Sequence, residues 1–157
     1  MYVDLDNIDG NAKCWIYTLK KNCKNVNEQI HKFLKKICEN WMTHGNSVKA
    51  SFDVYDNRYI ILFAENNISG CSIDDTNRIV REKLNELNIE IMPNSKIGIF
   101  SNKKTVYYDR LQLLDKIKAN EISISDKMIN TTIRTKFDYD KKWIVEINNS
   151  WLINFIK

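Results

Sequence analysis

The spacing of apolar positions changes repeatedly along the chain, and each change predicts an element. Cys14-Trp15-Ile16-Tyr17-Thr18-Leu19 is a short, nearly continuous apolar run rich in aromatic and β-branched residues, the pattern of a strand buried on both faces. From Val26 the period becomes helical. Val26, Ile30, Phe33, Leu34, Ile37 and Trp41 fall on one stripe at spacings of three and four, with Lys32, Lys35, Lys36 and Glu39 largely outside it. Asn25 with Glu28 reads as a capping pair at the helix start, and Gly45 as the left-handed residue that ends it. Val48, Ala50, Phe52 and Val54 then alternate with Lys49, Ser51, Asp53 and Tyr55, which predicts a strand with one wet face. After an Asp56-Asn57 turn, Tyr59-Ile60-Ile61-Leu62-Phe63-Ala64 returns as a more completely buried partner, making a hairpin.

Beyond a loop over 65–72, Asp74 is the expected cap of a second helix whose Ile79, Val80, Leu84 and Leu87 face inward. Met92-Pro93-Asn94 separates that helix from a strand at Ile97-Gly98-Ile99-Phe100. The order β-α-β-β-α-β predicts an α+β domain of the ferredoxin-like, split βαβ type over residues 1–102. In that arrangement the first and third strands are central and the second lies at an edge, in agreement with which segments are uniformly apolar and which alternate. Residues 103–157 predict a small C-terminal α+β extension packed on it. Its expected parts are a strand from Thr105 to Tyr108, a helix from Arg110 to Lys118 with Leu111, Leu114 and Ile117 inward, a strand from Lys142 to Ile147, and a final segment from Trp151 to Ile156.

Composition narrows the class of protein. With 157 residues, 43% hydrophobic and 28% charged, the chain has the balance of an ordinary globular protein and enough length for a sizeable core. No stretch approaches the roughly 20 apolar residues that span a bilayer. The start, Met1-Tyr2-Val3-Asp4-Leu5-Asp6, is acidic where a signal peptide is basic and then apolar, so a cytoplasmic protein without membrane insertion is expected. The net charge of +4 is dispersed over the chain, which argues against nucleic acid as the partner and leaves an unidentified protein or small-molecule ligand. Cys14, Cys23, Cys38 and Cys71 include no C-x-x-C pair, and His31 and His44 fall in no zinc-ligand spacing. Free thiols, no metal and no cofactor are therefore expected.

Chemistry-bearing residues concentrate in two short segments. Cys71, placed by the sequence just before the second helix, is the candidate nucleophile, because unpaired amides and the helix dipole stabilise a thiolate there. His44 is its candidate base. The bland alternatives are a small Cys71 filling a tight turn beside Gly70, and a His44 that interacts with the dipole at the end of the first helix. Trp41, Ser69, Gly70, Ser72 and Asp74 complete the candidate ligand-binding set on the same two segments. A separate candidate surface is the sheet face on which Trp15 and Tyr17 would stand with Tyr59, Ile61 and Phe63, the placement of stacking aromatics in RNA-recognition domains. The glycine-aromatic signature of those domains is absent, and a covering C-terminal segment bearing Trp143, Trp151 or Phe155 is the alternative.

Asn40-Trp41-Met42-Thr43-His44-Gly45, Ser69-Gly70-Cys71-Ser72-Ile73-Asp74 and Ser150-Trp151-Leu152 together resemble a family of small uncharacterised bacterial proteins commonly labelled ABC transporter ATPase. The resemblance extends over nearly the whole chain and brings no active site with it. Taken at its word, the label implies a phosphate-cradling G-x-x-x-x-G-K-[ST] loop. Gly10, Gly45, Gly70 and Gly98 are isolated, and none is followed by Lys-Ser or Lys-Thr. The expected function is accordingly a binding or accessory role rather than ATP hydrolysis, with thiol chemistry at Cys71 and His44 as the alternative.

Overall fold

A computed structural model of the protein describes residues 1–65, 68–93, 95–101 and 103–156. Two positions of the expected 65–72 loop (66 and 67), the break residue Asn94 and the expected boundary at Asn102 lie outside the described residues. The architecture is α+β with antiparallel sheets, and the chain forms two compact units. One comprises Met1–Met92 with Arg134–Phe137, the other Pro93–Ile133 with Asp138–Lys157.

In the first unit the initial apolar run forms β1 (Lys13–Thr18), and a 3-10 turn at Lys24–Val26 leads into α1 (Asn27–Asn40). Asn25 and Glu28 do not form the expected capping pair. Val26 occupies the cap without a side-chain bond, and Glu28 instead pairs with Lys32 one turn on, at 2.7 Å on the exposed face. Such a solvent-screened pair adds little to stability. The two-residue strands β2 (Met42–Thr43) and β3 (Asn46–Ser47) follow, then β4 (Ala50–Tyr55), β5 (Tyr59–Ala64) and α2 (Gly70–Glu86). Asp56 and Asn57 both take positive φ, and the Arg58 amide closes their turn on the Tyr55 carbonyl at 3.0 Å, as the sequence predicts for the hairpin.

The sheet of this unit has the order β1-β5-β4, all antiparallel, with the wholly buried β5 at its centre. Trp15 lies opposite Leu62 and Tyr17 opposite Ile60. Directly opposed residues share a face, so Trp15 and Tyr17 stand with Ile60, Leu62 and Ala64, not with Tyr59, Ile61 and Phe63. That face packs on the buried stripes of the two helices, Ile30-Leu34-Cys38 and Val80-Leu84. The other three aromatic and aliphatic residues are only 1%, 0% and 0% exposed. An open aromatic platform is therefore not formed on either count. On the far edge of β1 the sheet is extended by two isolated bridges, Lys13 to Thr135 and Leu19 to Ile91, the second flanked by bonds from the Lys20 amide to the Glu90 carbonyl and from the Met92 amide to the Thr18 carbonyl.

The expected fourth strand of this sheet belongs elsewhere. Ile97–Phe100 lies within β6 (Lys96–Ser101), which pairs with β7 (Lys104–Asp109) directly after it in the chain. Closing so short a connection costs little entropy, which favours the local partner. The second unit continues with α3 (Arg110–Lys118), β8 (Lys127–Ile129), α4 (Lys136–Lys142, whose first two residues count with the first unit) and β9 (Ile144–Glu146). Its four-stranded sheet has the order β7-β6-β8-β9. Its core gathers Ile97, Ile99, Leu113, Ile117, Met128, Ile147 and Leu152. Helix α3 has the predicted bounds but a different inward residue. Leu113 is buried and Leu111 is 70% exposed, because the Leu113–Ile117 pair spaced by four selects the stripe.

Candidate functional site

The two segments that the sequence singles out meet at one corner of the first unit. Helix α1 ends at Asn40, and Trp41 leaves it with extended backbone angles, φ −67° and ψ 122°. Met42 pairs with Ser47 and Thr43 with Asn46, so His44 and Gly45 are the two central residues of a tight hairpin. Both have positive φ, 48° and 77°, the requirement of a type I′ turn. His44 therefore does not sit in the last turn of α1, and Gly45 does not end that helix. The turn demands left-handed geometry at both positions, which glycine meets without strain and histidine meets at some cost.

The N-terminus of α2 abuts this hairpin. Its cap is Ser69, whose Oγ accepts from the Ser72 amide at 3.2 Å, so the helix begins five residues before the expected Asp74 cap. Cys71 accordingly lies inside the first turn of α2 rather than in a loop ahead of it, and it is exposed. Gly70 has no positive φ, and a Cβ there would meet nothing within 4 Å, so no tight turn requires a glycine at this point.

Side-chain hydrogen bonds join the two segments. The indole Nε1–H of Trp41 donates to Ser72 Oγ at 2.9 Å, and that hydroxyl donates in turn to the Met42 carbonyl at 2.7 Å. Thr43 Oγ1 accepts from the Ser69 amide at 3.0 Å and donates to Ser69 Oγ at 3.3 Å. Thr76 Oγ1 donates back to the Ser72 carbonyl at 3.0 Å. Trp41 is 4% exposed, and its ring packs on Trp15 with centroids 5.7 Å apart. Trp41, Ser69 and Ser72 thus hold the hairpin against the helix, with hydroxyls satisfying an indole N–H and helix-terminal amides that burial would otherwise make costly.

Beside this joint, α1, the hairpin and α2 enclose a groove of about 950 Å³. Cys71, His44, Trp41, Ser69 and Ser72 all line it, whereas Gly70 and Asp74 do not. Further wall residues did not emerge from the sequence: Phe33 and Ile37 from α1, Met42 from β2, and Asp75 and Ile79 from α2, with Lys36 at the rim. Ile79 was expected inward, but the Thr76-Val80-Leu84 row takes the core and leaves Ile79 40% exposed. Met42 is 48% exposed. Ile79 and Val80 point about 100° apart around the helix, so with Val80 at the centre of the buried row Ile79 falls at its outer edge and adds to an outward apolar surface.

In the core of the first unit, burial pushes the Cys38 thiol up to about 12 and the Tyr17 phenol, whose hydroxyl donates to Asn77 Oδ1, likewise to about 12. Both stay protonated at neutral pH and act as apolar or hydrogen-bonding core groups. Among the described residues, no three His, Cys, Asp or Glu side chains converge as metal ligands, and no helix is long and apolar enough to cross a membrane. Compared with known proteins, the chain matches no family model, no curated protein and no solved structure.

Proposed function

We propose that this chain is a binding or accessory protein whose contact surface is the groove between α1 and α2, carried on a split βαβ unit of ferredoxin-like type with a reduced fourth strand. The observation behind this reading is the convergence of the two distinctive segments on that groove. Their hydrogen-bonding residues are committed to structure, which leaves Phe33, Ile37, Met42 and Ile79 as an apolar wall with a few polar groups, the usual make-up of a ligand site. ATP hydrolysis is no part of the reading. The helix terminus that would have to cradle phosphate has its Ser72 amide taken by Ser69 Oγ, and Asp75 stands on the groove wall.

Ile79→Lys and Met42→Glu test the surface, because both side chains are exposed and their replacement spares the core. Affinity capture with the natural protein should retain a partner or small molecule that both variants lose and that Leu111→Lys, changed in the other unit, keeps. Retention of nothing, or equal retention by all four proteins, sinks the proposal.

A second reading, a thiol-dependent enzyme or redox protein, draws on one further observation: exposed Cys71 and His44 line the same groove. His44→Asn separates chemistry from structure, since Asn-Gly suits the type I′ turn better than His-Gly and should leave stability equal or a few tenths of a kcal/mol higher. Thiol catalysis with His44 as base requires alkylation of Cys71 to slow at least about ten-fold in His44→Asn. An unchanged rate in the folded variant removes His44 from any such role.

A further inference from the structure

The second unit holds a cavity of its own, of about 570 Å³, bounded by the start of α3, the end of β8 and the 3-10 turn at Trp151–Phe155. Its floor is apolar: Ile97, Met128 and Ile129 are all buried. The indole of Trp151, from the third distinctive segment of the sequence, forms a wall, and Leu111 projects at the rim, 70% exposed. Leu111 thereby adds an apolar edge to the buried apolar floor.

The charge at the mouth is one-sided. Asp109 is the only carboxylate among the described residues that line the cavity, and Lys96 neutralises it at 2.8 Å. Arg110 lies over the Phe155 ring at 4.7 Å, and Phe155 meets Trp151 edge-on at 5.9 Å. Arg110 makes no ion pair among the described residues. An aromatic ring beneath a guanidinium holds it in place and leaves its in-plane N–H groups for a forked pair of bonds to a carboxylate.

We propose that this cavity binds a small amphipathic monoanion, an aromatic or aliphatic carboxylate whose apolar body lies between Trp151 and the Ile97-Met128-Ile129 floor and whose carboxylate pairs with Arg110. The volume falls in the range of small-molecule sites, roughly 300 to 1,000 Å³. This site is separate from the groove in the first unit, and its ligand is independent of what that groove binds.

Naphthalene-2-carboxylate, with naphthalene-2-carboxamide as its uncharged counterpart, tests the assignment on the full chain by ¹H–¹⁵N NMR titration. The carboxylate should saturate, shifting the Trp151 indole N–H and the Leu111 and Thr131 amides and leaving the Trp41 indole and the Ser72 amide in place. It should bind about ten-fold or more tightly than the carboxamide, the discrimination expected of one charge-assisted bond pair. Arg110→Gln should abolish that preference while keeping the carboxamide affinity. Leu111→Glu, at an exposed position where folding is not at stake, should weaken the carboxylate about ten-fold or more and the carboxamide far less. Absence of saturable shifts at Trp151, equal affinity for the two probes, or shifts confined to the α1–α2 groove would each overturn the proposal.

Discussion

Trp41→Ala should cost about 3–5 kcal/mol of folding stability, the range for truncating a buried aromatic side chain, and so remove much of the 5–15 kcal/mol typical of a domain. The residue is nearly inaccessible, packs against Trp15 across the helix–sheet interface and bonds Ser72 at the N-terminus of α2. Its loss opens a cavity and removes one of the links between the hairpin segment and the helix, leaving the Ser72–Met42 and Thr43–Ser69 bonds in place. Trp41→Phe retains most of the packing and loses the indole N–H; Ser72 Oγ keeps its bond to the Met42 carbonyl and is not stranded. That change should cost only about 1–2 kcal/mol. Ser72→Ala leaves the indole N–H without its acceptor, at about 1–3 kcal/mol. Because the two changes share one bond, the double variant Trp41→Phe/Ser72→Ala should be less destabilised than the sum by at least about 0.5 kcal/mol. Urea unfolding of the natural protein and the four variants at constant m-value measures these quantities. Additive losses would show that the indole–hydroxyl bond contributes nothing to joining the two segments.

The same corner shows how far local pattern carries and where it stops. Helix α1 and strands β1, β4 and β5 follow from apolar period alone, and α3 has the predicted bounds, because each is long enough for its period to be unambiguous. Gly45 was expected to end a helix, since glycine after a helical stripe commonly does so. Its real role depends on Thr43 pairing with Asn46 across the turn, a contact between residues too few to show a period. Ser69 and Asp74 are both good caps by residue type. The choice falls to Ser69, whose amide and hydroxyl meet Thr43, a partner 26 residues away. Sheet membership is hidden in the same way. The run Ile97-Gly98-Ile99-Phe100 suits the interior of either sheet, and only its pairing with β7 and β8 decides between them. Register is subtler still: a shift of one residue between β1 and β5 would have put Trp15 and Tyr17 on the face of Tyr59, Ile61 and Phe63 as expected. The candidate residues were thus legible individually, whereas the groove they line depends on tertiary contacts that set helix starts and strand partners.

Alkaline pH should unfold this protein at lower denaturant concentration, and Cys38 should be the largest single cause. Its thiol ionises at an ordinary value near 9.0 when exposed, and burial on the inner face of α1 raises that to about 12. The N-terminal amino group opposes the shift and Glu39 adds slightly to it, but burial dominates. A group whose folded value is raised contributes stability fully below its unfolded value and loses it as pH rises toward the folded one, since the unfolded chain then releases a proton the folded chain retains. The loss from Cys38 therefore begins near pH 9 and continues to about 12, reaching about 3 kcal/mol at about pH 11. Tyr17, raised from 10.0 to about 12 by burial against a smaller opposing pull from the Arg81 guanidinium, adds about 1 kcal/mol at that pH. Cys23 and Tyr55, also raised by burial, act with the same sign. Cys38→Ala should lower stability at neutral pH through the small cavity it leaves, yet show a shallower decline between pH 9 and 11 than the natural protein. Urea midpoints measured across that interval for both proteins test the assignment. Parallel declines would mean that Cys38 ionises no differently in the folded and unfolded chains, and would remove the basis for treating it as a sealed core group of the first unit.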